Sequence, residues 1–205
     1  MPLSGTGFCC SSDVQIEQIF ISSEHNFVGH YGQPPGTSPL VEKERIQCVA
    51  GKGLLGDRYF NHREDYKGQI TFFSAEVLER LCAYFGIREK PAGLLRRNVI
   101  VSGVDLLSLI GCEFEIQGVK FRGTQHCAPC EWMDVAIAPG AKEFLKENAG
   151  LRAKILSDGE LHLGDAQLRI VKDAEALRSI AWTGRPKPLV ILSDNASPAR
   201  TEGSR

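Results

Sequence analysis

From residue 98 onward the chain is written in strand-length pieces separated by tight-turn residues. Asn98–Ser102 reads N-V-I-V-S; Phe114 and Ile116 alternate, Gln117-Gly118 turns, and Val119 and Phe121 alternate on the return. Leu151–Leu156 runs into Asp158-Gly159, followed by Leu161 and Leu163, then Gly164-Asp165, then Leu168 and Ile170. A period of two places alternate side chains on one face of a strand. Asp-Gly suits a primed hairpin turn, which needs positive φ, so the spacing predicts that Leu151–Leu156 folds back on the strand after it. Strands this short and evenly spaced predict a closed or nearly closed antiparallel sheet. One helical insert, over residues 141–149 with Gly150 as its stop, interrupts them.

Upstream, Val14–Ser22 reads as a strand with a slip near Gln18, and Arg45–Ala50 as a short one ending in G-K-G-L-L-G-D-R. Between them, residues 25–39 are too rich in Pro and Gly for regular structure. Gln69–Phe73 reads as a strand leading into a helix. Ser74 is its N-cap, Glu76 lies in the first turn, and Val77, Leu78, Leu81, Tyr84 and Phe85 recur at helical spacing before Gly86. The expected class is mainly β, a β-barrel with peripheral helices. Residues 1–13 read as a loose leader, 14–182 as one domain, and 183–205 as a mobile tail with three prolines.

With 205 residues, 42% of them hydrophobic, the chain has enough apolar surface for a core, which excludes disorder of the whole. The net charge of −1 removes a global electrostatic case for binding nucleic acid or a membrane surface. No window approaches the roughly 20 apolar residues of a membrane span, and M-P-L-S-G-T-G-F-C-C has no positive start or apolar run. A cytoplasmic, reducing location is therefore expected, and seven cysteines, an odd number, argue against a disulfide framework. Cys48, Cys82 and Cys112 fall in apolar patterns and read as buried hydrophobes; Cys9 and Cys10 sit in the leader.

Cys127 and Cys130 lie in G-T-Q-H-C-A-P-C-E-W-M-D (Gly123–Asp134), directly after a strand pattern. Haem attachment fails, because Glu131 stands where C-x-x-C-H needs His. Structural zinc finds Cys127, Cys130 and His126 but no second pair to complete a tetrahedron. A thioredoxin-like dithiol lacks its βαβ setting. What remains is a single reactive or metal-binding thiolate supported by the other cysteine, or two cysteines merely packed in a loop. Cations that favour a thiolate are available at Arg96-Arg97-Asn98, Arg58 and Lys52. Arg holds phosphate or a flat heterocycle through paired hydrogen bonds; the plainer reading is solvated surface pairs. Of the single histidines, His25, His30 and His162 suit loop or surface packing, and His62 with Asp65 follows G-D-R.

Six segments stand in a fixed order: G-L-L-G-D-R (Gly53–Arg58), H-R-E-D-Y-K-G-Q-I-T-F-F-S-A-E (His62–Glu76), R-R-N-V-I-V-S-G-V-D-L (Arg96–Leu106), L-I-G-C-E-F-E-I-Q-G-V-K-F-R-G-T (Leu109–Thr124), C-A-P-C-E-W-M-D, and G-L-R-A-K-I-L-S-D-G-E-L-H-L-G-D (Gly150–Asp165). Over residues 14–171 the chain resembles the MOSC domain family, named for the C-terminal domain of molybdenum-cofactor sulfurases. The resemblance implies a β-barrel with peripheral helices and one sulfur-carrying or molybdenum-binding cysteine, matched here by Cys130. By the same match Arg97 and Asn98 lie near the pterin or its phosphate, with Arg96 beside them, and Arg58 belongs to that pocket. The T-T-V-D-P run of the amidoxime-reducing branch is replaced by E-W-M-D-V-A-I-A-P after Cys130. The extra N-terminal β-rich domain of that branch and the pyridoxal-phosphate domain of the sulfurases have no counterpart, so pyridoxal phosphate is not expected on this chain.

The leading expectation is a molybdenum-cofactor protein that reduces N-hydroxylated compounds with electrons from a donor protein, Cys130 ligating molybdenum. The alternative is a persulfide carrier, Cys130 receiving sulfur from a cysteine desulfurase for metal–sulfur cluster or molybdenum-cofactor assembly. A zinc-stabilised, non-enzymatic module is the third.

Overall fold

The computed structural model describes residues 11–26, 34, 36–89 and 92–175; the expected tail, most of the leader, His30, Cys9 and Cys10 lie outside them. The strands are β1 (Ser11–Ile21), β2 (Val41–Lys43), β3 (Arg45–Val49), β4 (Gly53–Leu54), β5 (Ile70–Ser74), β6 (Val99–Ser102), β7 (Glu113–Ile116), β8 (Val119–His126), β9 (Leu151–Ile155), β10 (Gly159–His162) and β11 (Gly164–Lys172). The helices are α1 (Ala75–Phe85), α2 (Trp132–Ala136) and α3 (Ala141–Phe144), with 3-10 turns at Ala92–Leu95 and Leu106–Leu109. β1 starts at Ser11, so three residues assigned to the leader belong to the barrel.

Seven strands close a barrel in the order β11-β7-β8-β9-β5-β6-β1, and β1 pairs back onto β11 with Val14 opposite Ala166. β2 extends it beyond β1, and β10-β3-β4 form a separate small sheet. An all-antiparallel ring needs an even number of strands, because direction flips at every step. Seven force one parallel pair, and it is β5–β6. This corrects the all-antiparallel expectation. A parallel pair needs a crossover of a dozen or more residues, which is the place of α1.

The local chemistry of α1 is as expected: Ser74 Oγ accepts from Val77 N at 3.1 Å, and Gly86 closes the C-terminus in the left-handed region. β7 and β8 form the expected hairpin, with φ of 49° at Gln117 and 80° at Gly118, the two positive values of a type I′ turn. The slip near Gln18 is a bulge in the β1–β6 register.

The hairpin predicted at Asp158-Gly159 does not form. β9 pairs with β8 and β5, whereas β10 pairs with β3. Asp158 Oδ1 accepts from Ala50 N at 2.7 Å, which steers the chain out of the barrel into the small sheet. Gly159 serves close approach rather than positive φ: an added Cβ would lie 2.7 Å from Val119 Cγ2. The predicted insert over 141–149 is helical only at Ala141–Phe144, and α2 was not foreseen.

Strands under α1 bury both faces, hence the unbroken apolar run Val99, Ile100 and Val101 in β6. Phe72, Val99, Val101 and Ile19 point into the barrel, where the rings of Phe72 and Phe121 lie 5.5 Å apart. Phe73, Ile100 and Phe20 point outward, against Leu78, Leu81, Met133 and Leu145. This second core fixes α1 and α2 on the barrel wall.

Candidate functional site

β8 delivers the two thiols. Cys127 is 3% exposed and Cys130 is open to solvent. The loop between them is anchored from both sides. Cys127 N donates to Gly150 O at 2.8 Å, and Met133 N of α2 donates to Cys130 O at 2.9 Å. Gly150 is required here, because a Cβ would stand 2.2 Å from Phe72 O. His126 Nε2 accepts from Ala149 N at 2.9 Å; burial first, then the Arg97 charge, hold this imidazole below its ordinary pKa.

Arg97 is the hub. It is 8% exposed and donates from Nε to Ala149 O, from Nη1 to Leu95 O and from Nη2 to Cys127 O, each at 2.9 Å. Asn98 is also used up. Its Oδ1 accepts from Thr71 N and Oγ1, and its Nδ2 donates to Phe20 O at 3.2 Å and Asp57 Oδ2 at 3.4 Å. Both residues therefore hold the scaffold, at positions that the family resemblance implies lie near the pterin or its phosphate.

Arg58 and Arg96 have a different setting. Together with Ser22, Leu94 and Trp132 they line a cleft of about 90 Å³. The Arg58 side chain is 9% exposed and pairs with Asp57 at 3.4 Å, yet its Nε has no hydrogen-bond partner. Asp57 also accepts from Ser22 N at 3.2 Å and Tyr59 N at 3.0 Å. Arg96 adopts φ 58°, which turns consecutive side chains apart. Burial and the Arg58 charge bring Arg96 down to about 10, and the Cys130 sulfur acts in the opposite sense, which puts it in the field of this guanidinium. The Cys130 sulfur also acts on Lys142, whose ammonium pairs with Glu131. Larger hollows lie elsewhere, such as one of about 630 Å³ at the β1, β6 and β11 ends.

The sequence reading missed Tyr59, Tyr66 and Arg152, and gave His25 to loop or surface packing. Tyr59 stacks on Tyr66 at 5.2 Å, meets His25 edge-on at 4.9 Å and lies 5.0 Å from the Arg58 guanidinium. His25 Nδ1 is buried without a partner; burial, Arg58 and Arg96 push its pKa down. Arg152 of β9 stands opposite Gln125 of β8, two residues before Cys127. Burial opposes its charge, but Cys127, Tyr66 and Tyr59 outweigh this and hold Arg152 above its ordinary value. The only local signal was Tyr59 following G-D-R. His62 is exposed and packs on Tyr59 and Tyr66, Asp65 pairs with Lys154, and Lys52 is exposed.

Among the described residues no three His, Cys, Asp or Glu side chains gather to hold a metal ion, so the zinc module finds no ligand set there. No described helix is long and apolar enough to cross a membrane.

A family model of the MOSC domain matches residues 51–167. No curated protein matches the chain. Among solved structures it is similar to the YuaD protein of Bacillus subtilis (TM-score 0.63, 18% identity, covering 80% of this chain and 100% of that one). YiiM of Geobacillus stearothermophilus gives TM-score 0.56 at 15% identity, covering 83% and 84%. YiiM of Escherichia coli gives 0.53 at 13%, covering 87% and 80%. Likenesses at these identities speak for the fold alone.

Proposed function

The chain belongs to the MOSC family, and on that premise we propose that Cys130 is a molybdenum ligand and that the cleft lined by Arg58 and Arg96 takes the anionic end of the pterin cofactor. The observation that carries this is the unpaired Nε of buried Arg58, beside Arg96 and in the neighbourhood of an exposed thiol. A buried donor without a partner costs about 1–3 kcal/mol, and a phosphate oxygen would relieve it. Arg58 and Arg96 would hold the phosphate, and the soft Cys130 sulfur suits a metal already held by dithiolene. The bound group supplies molybdenum redox chemistry, and the reaction class is reduction of N-hydroxylated compounds with electrons from a donor protein. The role of Arg97 is to fix the loop that presents Cys130.

The test is elemental and pterin analysis after expression in a molybdenum-competent host. Wild type carries both in equal amount, Cys130→Ala loses molybdenum, and Arg58→Ala loses both. A wild type without pterin sinks the reading.

A second reading is favoured by size. A cleft of about 90 Å³ admits a phosphate but is small beside the roughly 300–1,000 Å³ usual for a cofactor-sized ligand. Cys130 then carries a persulfide taken from a cysteine desulfurase, with Arg96 and Lys142 stabilising the anion. Mass spectrometry after incubation with desulfurase and cysteine finds one added sulfur on Cys130; sulfur on another cysteine, or none, refutes it.

A further inference from the structure

The turn that anchors the thiol loop has a second side. Gly150 O accepts from Cys127 N at 2.8 Å, and Ala149 takes Arg97 Nε on its carbonyl and gives its N–H to His126, both at 2.9 Å. Asn148 and Gly150 also line a cavity of about 340 Å³, bounded further by the N-terminal half of α1 and by the chain after β6. It shares no lining residue with the cleft of Arg58 and Arg96. Its volume is at the low end of the roughly 300–1,000 Å³ usual for small-molecule sites, which suits a ligand of few heavy atoms.

The lining combines three chemistries. Val77 and Leu106 are buried and Val104 and Leu107 half-buried, which makes an aliphatic surface. Glu76 and Asp105 supply two carboxylates that the protein holds in place. Glu76 accepts from Ser74 Oγ and from Gly103 N at 2.7 Å, and Asp105 Oδ1 accepts from Leu107 N at 3.0 Å. A carboxylate offers about four acceptor positions, so both keep capacity to spare. Burial opposes the Glu76 charge, but the bonds from Ser74 and Gly103 and the Arg80 charge outweigh this and hold its carboxyl below the ordinary pKa. Arg80 and Asn148, both exposed, bring donors. A simple anion meets two carboxylates here, and a simple cation meets the Arg80 guanidinium. A zwitterion with an aliphatic body finds a complement for each part. The hollow of about 630 Å³ at the β1, β6 and β11 ends carries Asp13 and Asp165 but no cation.

We propose that this cavity binds a free α-amino acid with an aliphatic side chain. Arg80 and Asn148 take the carboxylate, Glu76 and Asp105 take the ammonium, and Val77, Val104, Leu106 and Leu107 receive the side chain. Occupancy is coupled to the thiol loop, because the Asn148–Gly150 turn is at once a wall of the cavity and the partner of Cys127, Arg97 and His126. A ligand that orders this turn lowers the cost of keeping the loop in place.

The full-length protein is titrated with L-leucine and followed by calorimetry and by amide chemical shifts. One saturable site is expected, with Kd near or below about 1 mM and the shifts centred on Arg80, Asp105 and Asn148. Two truncated probes separate the charges: 4-methylpentanoate lacks the ammonium and 3-methylbutylamine lacks the carboxylate, and each should bind at least about tenfold more weakly. Glycine, without the side chain, should bind more weakly too. Arg80→Gln, at an exposed position, and Asp105→Asn, which keeps a capping oxygen, should each weaken leucine about tenfold. At fixed pH, leucine should raise the protection of the Cys127 amide against hydrogen exchange. No saturable binding below about 10 mM overturns the proposal, as do shifts centred on the Arg58–Arg96 cleft or a truncated probe that binds as tightly as leucine. Binding with an unchanged Cys127 amide overturns the coupling. The wild-type titrations decide even where a variant fails to fold, and they need no cofactor, so their failure leaves the molybdenum reading standing.

Discussion

Arg97 places three guanidinium donors on the carbonyls of Leu95, Cys127 and Ala149, while Arg96, one residue earlier, lines the cleft with Arg58, whose Nε is unpaired. The inner layer, Arg97 with Asn98, spends its hydrogen-bonding capacity on the protein. The outer rim keeps one donor for something else, the Nε of Arg58. Residue type and position in a motif do not separate the two; the presence or absence of partners for each polar atom does. The inner layer should therefore fail through stability and the rim through ligand retention.

The largest effect is expected at the hub. Arg97→Ala strands three carbonyls, two of them in segments 30 and 52 residues away in sequence, and should cost about 3–5 kcal/mol. Urea unfolding measures it. Arg97→Lys should recover less than half, because one ammonium cannot match a planar fork. A cost below about 1 kcal/mol would break the comparison. Next comes Asn98→Ala, which leaves Thr71 N and Phe20 O without their partner. It should cost about 2–3 kcal/mol and loosen the packing of β5 against β6.

What was legible in the sequence follows the same line. α1 and the β7–β8 hairpin are decided within a few residues, by Ser74, Gly86 and Gln117-Gly118, and they read correctly. Cys48, Cys82 and Cys112 read as buried because their apolar neighbours say so. The Asp158-Gly159 hairpin misread because Gly159 answers to Val119, across the fold, and not to its own turn. The parallel β5–β6 pair follows from the parity of a seven-strand ring, which no local pattern states. At the site, Cys130 stood out by motif, but the division between Arg96 and Arg97 depends on Ala149 and Cys127, and the placing of Arg152 opposite Gln125 depends on β9 lying beside β8.

On the rim the expected stability effect is small. Arg96 holds φ 58°, a region that costs a non-glycine residue about 1 kcal/mol and glycine nothing. Arg96→Gly relieves that strain and the burial of a charge, against the contacts the side chain makes. Its unfolding free energy should stay within about 1 kcal/mol of wild type, while pterin retention in the analysis above falls. Loss of more than about 3 kcal/mol would put Arg96 in the inner layer and leave Arg58 as the rim alone.

The smallest effect, and the one that separates the layers most cleanly, is a pH dependence in the loop anchor. His126 accepts the Ala149 N–H through Nε2, which needs an unprotonated nitrogen. Its pKa is held below 6.5 by burial and by Arg97, against a weaker pull from Glu147. The folded state thus binds this proton less readily than the unfolded chain does. The stabilisation is fully present above pH 6.5 and drains as pH falls below it through the folded pKa. Relative to the intrinsic exchange rate at each pH, the protection of the Ala149 and Cys127 amides against hydrogen exchange should therefore fall below pH 6.5, with the protection of the α1 amides unchanged. His126→Gln keeps an acceptor that does not titrate there and should flatten the profile. If the Ala149 amide ignores pH in wild type, His126 is not the anchor, and the loop is held by Arg97 and Gly150 alone.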